Sequence, residues 1–471
     1  MKEKLSYLSK NILLFALNGF LPKVLAFLLI PIYTGYLTTA EYGVSDLITT
    51  TVQMLLPVFT LTIHDAVIRF AMDKEYDAKA VFSSAIRITL VGIVLVTLGA
   101  FGVSLLNVEG IQDSYLLFLV LMYAITALDN SVTRFCKGID QVKAVVVGSL
   151  LHSAITMGCN VLFLVVFRWG LNGYLVANTL GAAAALIYEF FAAKLYRYLQ
   201  WKPALDVSRA MRRYSFPMIF SAMAWWVNNA SDRYVLTFIA GVGISGIYAV
   251  AYKIPNLLSV FQNVFSQAWS ISAIKEFDPK DSDGFMGKTY SALSFSMMLV
   301  CSLIMLADVP LARILYSNDF FAAWQFVPPL LISIVLNAMS LFLGSIFMAV
   351  KDTKKLSICT IIGAVVNTAL NFTLIPAWGA YGAAIATVTG YAVDFSMRHL
   401  FLRKHMTMRI RWGRDLAAYG ALLTQMVLAY FGWKTVLFQC VCTLALVLLF
   451  RKEIRSVAGS VKSWLRKKQK S

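Results

Sequence analysis

Lys23, Asp232, Arg233 and Lys253 stand inside stretches otherwise apolar enough to cross a bilayer. An ionisable group at membrane depth costs about 2.5–3.5 kcal/mol on insertion scales, so such residues mark a pathway or a site unless they pair. On a helix through 246–273, Tyr252, Lys253, Asn256, Ser259, Asn263, Gln267 and Ser270 share an arc of about 120°. The opposite face is Ile254, Leu257, Leu258, Phe261, Phe265 and Trp269. On a helix through 214–239, Ser221, Trp225, Asn228, Asn229 and Asp232 share about 100°, with Arg233 at the edge. Asp232 is expected to pair with Arg233 or Lys253, because an uncompensated buried carboxylate is expensive. Lys23 follows Asn18 and Pro22 in the first apolar stretch, where proline kinks a helix and frees carbonyls. Three cations against one carboxylate suit an anion, phosphate or pyrophosphate first. The flanking Asn, Gln, Tyr and Trp suit sugar hydroxyls and ring faces. The bland alternative, hydrogen bonding and ion pairing between packed helices, uses the same residue types.

A second group, His64, Asp65, Arg69 and Arg134, suits coupling or gating. Asp65 and Arg69 are four apart and are expected to pair on one helix face. His64 beside them titrates near neutrality unless it serves as a hydrogen-bonded structural residue. Arg134 reaches an anionic headgroup or a lipid phosphate. Arg87 and Arg398 read as interface anchors. The six cysteines lie in or at the ends of apolar stretches without metal spacing, and are expected free. There is no phosphate-cradling Gly-Lys-Ser/Thr loop, no paired His ligands and no Ser/His/Asp arrangement in a suitable setting. Neither a metal nor another cofactor is expected, and no enzymatic activity.

What must position these groups is a bundle of membrane helices. The 471 residues are 59% apolar and 14% charged, with mean hydropathy +0.71 and net charge +18. Both departures from ordinary globular composition, sustained along the chain, exclude a soluble enzyme and a disordered chain. Stretches such as 88–108 and 356–393 contain no Asp, Glu, Lys or Arg. The fold expected is all-α and polytopic, with about 14 transmembrane helices: two six-helix lobes (1–200 and 201–405), a terminal helix pair (406–450) and a basic tail (451–471). Nearly all Lys and Arg fall on one side of that layout, whereas Arg168, Arg313 and Lys434 fall in the opposite loops. The asymmetry places both termini in the cytoplasm and makes the tail a partner of anionic lipid rather than of nucleic acid. Trp169-Gly170-Leu171-Asn172-Gly173 followed by Gly181, and Trp378-Gly379-Ala380-Tyr381-Gly382 followed by Gly390, repeat six spans apart and indicate duplicated, parallel halves.

Leu28-Leu29-Ile30-Pro31-Ile32-Tyr33, leading to Leu37-Thr38-Thr39-Ala40-Glu41-Tyr42-Gly43, resembles the opening of bacterial oligosaccharide flippases of the Wzx type. Ser231-Asp232-Arg233-Tyr234 and Gly246-Ile247-Tyr248-Ala249-Val250-Ala251-Tyr252-Lys253 resemble that family's seventh and eighth spans. The resemblance implies a superfamily shared with multidrug extrusion antiporters and lipid II flippases. It also implies alternating access and flipping of undecaprenyl-pyrophosphate-linked oligosaccharide across the bacterial cytoplasmic membrane, for O-antigen, capsule or similar glycans. Membrane lipids, coupling H+ or Na+ and polysaccharide polymerase machinery are the implied partners, and Lys23 and Lys253 match the family's cavity-facing cations. Extrusion antiporters typically carry a carboxylate in the first span, where this chain has a lysine. An ion-coupled exporter of small organic solutes is the competing reading. A membrane-embedded glycan polymerase or ligase is a third, disfavoured by the short outer loops.

Overall fold

A computed structural model describes residues 23, 25–73, 75–107, 110, 112–408 and 410–451, apart from the side chains of Asn228, Ala268, Ile271 and Trp433. Asn18, Pro22 and the tail beyond Arg451 lie outside these residues. Among the described residues the secondary structure is helical, without strands. The chain forms two compact units that divide between Ala230 and Ser231.

The first unit contains α1 (Ile30–Tyr36), α2 (Thr39–Phe59), α3 (Ile63–Ala71), α4 (Ala78–Leu105), α5 (Asp113–Gly138), α6 (Val142–Asn160), α7 (Gly170–Ala192) and most of α8 (Leu205–Ala240). The Thr-Thr-Ala-Glu motif is a helix start. Thr38 Oγ1 accepts from the Glu41 N–H at 3.2 Å, and Glu41 Oε2 accepts from the Thr38 N–H at 2.8 Å, which satisfies donors that a helix N-terminus leaves open. The apolar stretch 43–68, long enough for one span, folds as parts of two helices, α2 and α3, bent by 59°. Leu61 and Thr62, both at positive φ, turn the chain after Pro57, and Thr62 Oγ1 donates to the Ser215 carbonyl at 2.9 Å. Gly92 of α4 lets the Phe59 carbonyl at the end of α2 approach where a Cβ would stand. Arg87 is not a free interface anchor. Its guanidinium donates to the carbonyls of Gln200 (2.5 Å) and Trp201 (2.8 Å), tying the loop before α8 to α4.

The second unit continues with α9 (Val242–Ala251), α10 (Pro255–Lys275), α11 (Phe285–Leu306), α12 (Asp308–Leu315), α13 (Val327–Ala349), α14 (Thr353–Trp378), α15 (Ala380–Leu402), α16 (Trp412–Ala429) and α17 (Val436–Leu449). Helix α13 is buried on nearly every face and forms the unit's centre, against which α10, α11 and α15 pack. Asp352 caps α14, accepting from the Lys355 N–H at 3.2 Å and, at Oδ2, from Lys355 Nζ at 2.7 Å, with His405 Nε2 at 2.9 Å. The Lys355 ammonium, with these hydrogen bonds, holds that carboxyl down at about 2. The terminal pair α16/α17 docks on α11 through polar contacts: Ser302 Oγ donates to Gln425 Oε1 at 2.6 Å, and Gln425 Nε2 donates to the Ser302 carbonyl at 2.9 Å.

Seven helices among the described residues are long and apolar enough to cross a membrane, or nine if each bent pair is one span. The chain is a multi-pass helical membrane protein. In both sequence repeats the glycines serve one purpose. Gly173 and Gly181 sit where α7 meets the segment of α6 and its continuation, and Gly382 and Gly390 sit where α15 meets α14. A Cβ at Gly181 would overlap the Thr156 hydroxyl, and one at Gly390 would lie 2.8 Å from Asn367 Cβ.

Candidate functional site

Asp232, near the end of α8, is buried, and its carboxylate is held from three directions. Oδ2 accepts from the hydroxyls of Tyr248 (3.1 Å) and Tyr252 (3.3 Å), and Oδ1 accepts from the Arg233 N–H (2.9 Å). Tyr248 and Tyr252, one turn apart, meet edge to face at 5.3 Å, which points both hydroxyls at one acceptor. The Arg233 guanidinium lies 5.4 Å from the Tyr252 ring centroid, and the Arg233 carbonyl accepts from Thr237 Oγ1 at 2.7 Å. The carboxylate is thus buried among oriented donors beside a cation. It has little capacity left for a ligand of its own, whereas the half-buried Arg233 and Lys253 are partly open to surrounding space.

The polar arc expected on one straight helix is divided. Helices α9 and α10 meet at 50° around Tyr252–Ile254, where Pro255 at the first position of α10 has no N–H to donate to the carbonyl four residues back and its ring crowds that carbonyl. Tyr252 and Lys253 lie at the break, and Asn256, Asn263 and Gln267 follow along α10 with exposed side chains. The other side of α10 is packed: Ile254, Leu258 and Trp269 are buried, with the Trp269 ring stacked on Phe342 at 4.2 Å. Leu257 and Phe261 are exposed instead, and Gln262 is buried. Asn229 of the first unit donates to the Trp225 carbonyl at 2.7 Å; the Asn228 side chain lies outside those described. Lys23 is helical, with an exposed side chain.

The coupling candidates sit on the short helix α3 and on α5. Asp65 does not pair with Arg69 as its spacing suggested. Asp65 lies 3.7 Å from Arg134 and 3.7 Å from His64, while Arg69 turns to Asp73 at 3.7 Å. Asp73, one turn further on and beyond the end of α3, gives Arg69 an equally spaced partner.

Two buried ionic groups were not singled out from the sequence. In the first unit, Glu189 of α7 accepts from Thr133 Oγ1 at 2.7 Å, against Gly148 of α6, whose missing Cβ makes the space. In the second unit, Arg398 is buried rather than an interface anchor. Its Nε donates to Asp394 Oδ1 at 2.9 Å, and its other nitrogens donate to the Ser340 carbonyl and Thr360 Oγ1, each at 2.9 Å. Ser340 Oγ completes the group, donating to Asp394 Oδ2 at 2.5 Å. The i, i+4 acid and arginine in an otherwise uncharged helix were the available signal.

A multi-pass helical bundle in two units, with a tyrosine-held carboxylate, half-buried cations and exposed amides along one helix, defines a polytopic membrane protein with polar groups inside its apolar stretches. The chain belongs to the polysaccharide biosynthesis protein family, whose model matches residues 8–271, more than half of its length. That match covers the motifs that resembled Wzx-type flippases. A Haloferax volcanii protein named as a probable low-salt glycan biosynthesis flippase, Agl15, is 22% identical over 282 residues. This is 57% of the present chain and 59% of that relative, so the match spans about three fifths of the relative's length. Among solved structures, the lipid II flippase MurJ in an inward closed conformation superimposes with a TM-score of 0.72 at 14% identity, over 95% of this chain and 100% of that one. An inward-facing multidrug resistance MATE family transporter of the MOP superfamily gives 0.67 at 16% identity, over 84% and 96%. At such identities these likenesses show the fold.

Proposed function

We propose that this protein flips an oligosaccharide linked to undecaprenyl pyrophosphate across the cytoplasmic membrane by alternating access, with both termini in the cytoplasm. The observation that carries the reading is the exposed amide face of α10, Asn256, Asn263 and Gln267, adjoining Lys253, in a chain of this family. Amides left open on a membrane-crossing helix require water or a polar ligand, since hydrocarbon satisfies neither their donors nor their acceptors. Lys253 and Arg233 supply positive charge for the diphosphate, and Asp232 holds Arg233 and the two tyrosines in place. Asn228, Asn229, Tyr252 and the amides of α10 bind sugar, and Lys23 adds positive charge in the first unit. His64, Asp65, Arg69 and Arg134 serve coupling to H+ or Na+, or gating. The glycan, an O-antigen or capsule unit, then passes to polymerase machinery.

The experiment is glycan export in cells carrying Lys23→Ala with Lys253→Ala, at wild-type protein level. Export should fall at least tenfold, with retention in Lys23→Arg with Lys253→Arg. Wild-type export from the alanine pair would refute the cation assignment.

A further inference from the structure

The connection between α11 and α13 runs through α12 and a tight helical stretch, Asn318–Phe326, which packs against α9, the first half of the broken span. Its inward residues Ala312, Leu315, Phe320 and Ala323 are buried. Two contacts join it to the residues that hold Asp232. The Tyr316 hydroxyl donates to the Val250 carbonyl at 3.3 Å, and the Phe326 ring meets the Tyr248 ring edge to face at 6.2 Å. Tyr248 in turn donates to Asp232. On the other side, the Gln325 carbonyl accepts from the Tyr430 hydroxyl at 2.9 Å, and Gln325 Oε1 accepts from the Tyr381 hydroxyl. The segment 308–326 is thus fastened at both flanks, with α9 seated against it.

Asp308 begins this segment and is wholly buried, with no hydrogen-bond partner for either carboxylate oxygen among the described residues. The titratable groups around it offer no compensating charge. Tyr430, just after α16, faces it, with Tyr381 of α15 beside Tyr430, and both hydroxyls are committed to Gln325. On α11 the preceding titratable group is Cys301, about two turns back; α9 brings Tyr248, and α13 carries none. Arg313 and Asp319 of the segment itself are exposed, as is Lys434 after Tyr430. A protonated carboxyl can stay in such a place and a bare carboxylate cannot, because burial penalises the charge and the end of an eight-residue helix is too weak a dipole to offset it. Burial accordingly strengthens the hold of Asp308 on its proton. Loss of that proton to water leaves a charge that is relieved when α12 lifts and the carboxylate meets solvent.

We infer that the segment 308–326 is a latch on α9, seated while Asp308 carries its proton and released when Asp308 loses it. Tyr316 and Phe326 are its positioning residues: they fix the backbone of α9 at Val250 and the ring that aims a hydroxyl at Asp232. One proton at Asp308 therefore sets how firmly the Asp232 carboxylate is framed. Such a latch acts on the frame of that site, whichever substrate the site takes.

The test is hydrogen–deuterium exchange of the full-length protein in detergent micelles from about pH 5 to about pH 9, read by mass spectrometry and corrected for the intrinsic pH dependence of exchange. Opening of 308–326 and of 242–251 should rise together, by about tenfold per pH unit above the ordinary carboxylate range until the folded value is passed. Amides of α13, at the centre of the unit, should stay protected. Asp308→Asn, a neutral side chain of the same size, should hold both stretches closed across the series. Tyr316→Phe should loosen 242–251 even at the acid end, while 308–326 still follows the wild-type series. Wild-type exchange that ignores pH, an Asp308→Asn protein that follows the wild-type series, opening of 308–326 with 242–251 unmoved, or loss of α13 protection at the same pH would each overturn the inference. The wild-type series decides by itself should Asp308→Asn fail to fold.

Discussion

The buried group at Arg398 makes a quantitative prediction about what holds the second unit together. Arg398 gives three of its donors to Asp394, Ser340 and Thr360, and so joins α15 to α13 and α14. Replacing it with methionine keeps most of the side-chain volume and strands the Asp394 carboxylate, which is 5% exposed and then keeps only the Ser340 hydroxyl among these partners. Breaking one side of a buried pair costs about 3–5 kcal/mol, whereas exchanging both partners for apolar residues of similar size is close to neutral. Arg398→Met should therefore destabilise the full-length protein by about 3–5 kcal/mol, and adding Asp394→Leu should restore it to within about 1–2 kcal/mol of wild type. Equilibrium unfolding in mixed detergent micelles measures both, and the coupling energy between the two positions should be large and compensating. The reasoning is refuted if Arg398→Met lies within about 1 kcal/mol of wild type, or if the double variant is as unstable as the summed singles.

Three further outcomes follow from the geometry. Gly181→Ala places a methyl group on the Thr156 hydroxyl, so it should cost about 1–3 kcal/mol in the same unfolding assay, with partial relief when combined with Thr156→Ala. Asp308, the first residue of the short helix α12, is wholly buried, with neither carboxylate oxygen hydrogen-bonded, and burial pushes its carboxyl well above the usual range. The folded state therefore binds this proton more tightly than the unfolded one; stability is fully present below the ordinary carboxylate value and is lost as pH rises through the folded value. Asp308→Asn should flatten that decline in a pH series of melting temperatures. Asp352 behaves oppositely: Lys355 holds it at about 2, so its stabilisation is present above the ordinary carboxylate value and lost as pH falls toward 2. Asp352→Asn should remove that acid-side loss, and added salt should shrink it in wild type, because the half-buried pair is partly open to solvent.

Membrane class and helical architecture were legible because composition and long apolar stretches depend only on local sequence. The close helix contacts were legible too, since they demand glycine whatever the surroundings, and Gly173, Gly181, Gly382 and Gly390 all occupy such contacts. The break before Pro255 carried a local signal, and the break at Leu61–Thr62 carried little, because residues other than glycine rarely adopt positive φ. Partner choice was the least legible. Asp65 had Arg69 at ideal spacing, yet Arg134 comes to it from another helix, and Arg69 finds Asp73. The Glu189 contact joins α5, α6 and α7, and no spacing within one helix reveals a meeting of three. Tyr248 was missed as a holder of Asp232 although the Tyr248/Tyr252 turn was in view, because aromatic residues in an apolar helix look like packing.

Passage of lipid-linked oligosaccharide across the membrane by way of this protein is tested by the leaflet distribution of lipid-linked oligosaccharide in cells depleted of the protein, read by accessibility to an impermeant glycan-modifying reagent. Complete repeat units should accumulate on the cytoplasmic leaflet while surface glycan is lost. Single units reaching the outer leaflet in the absence of the protein would contradict it.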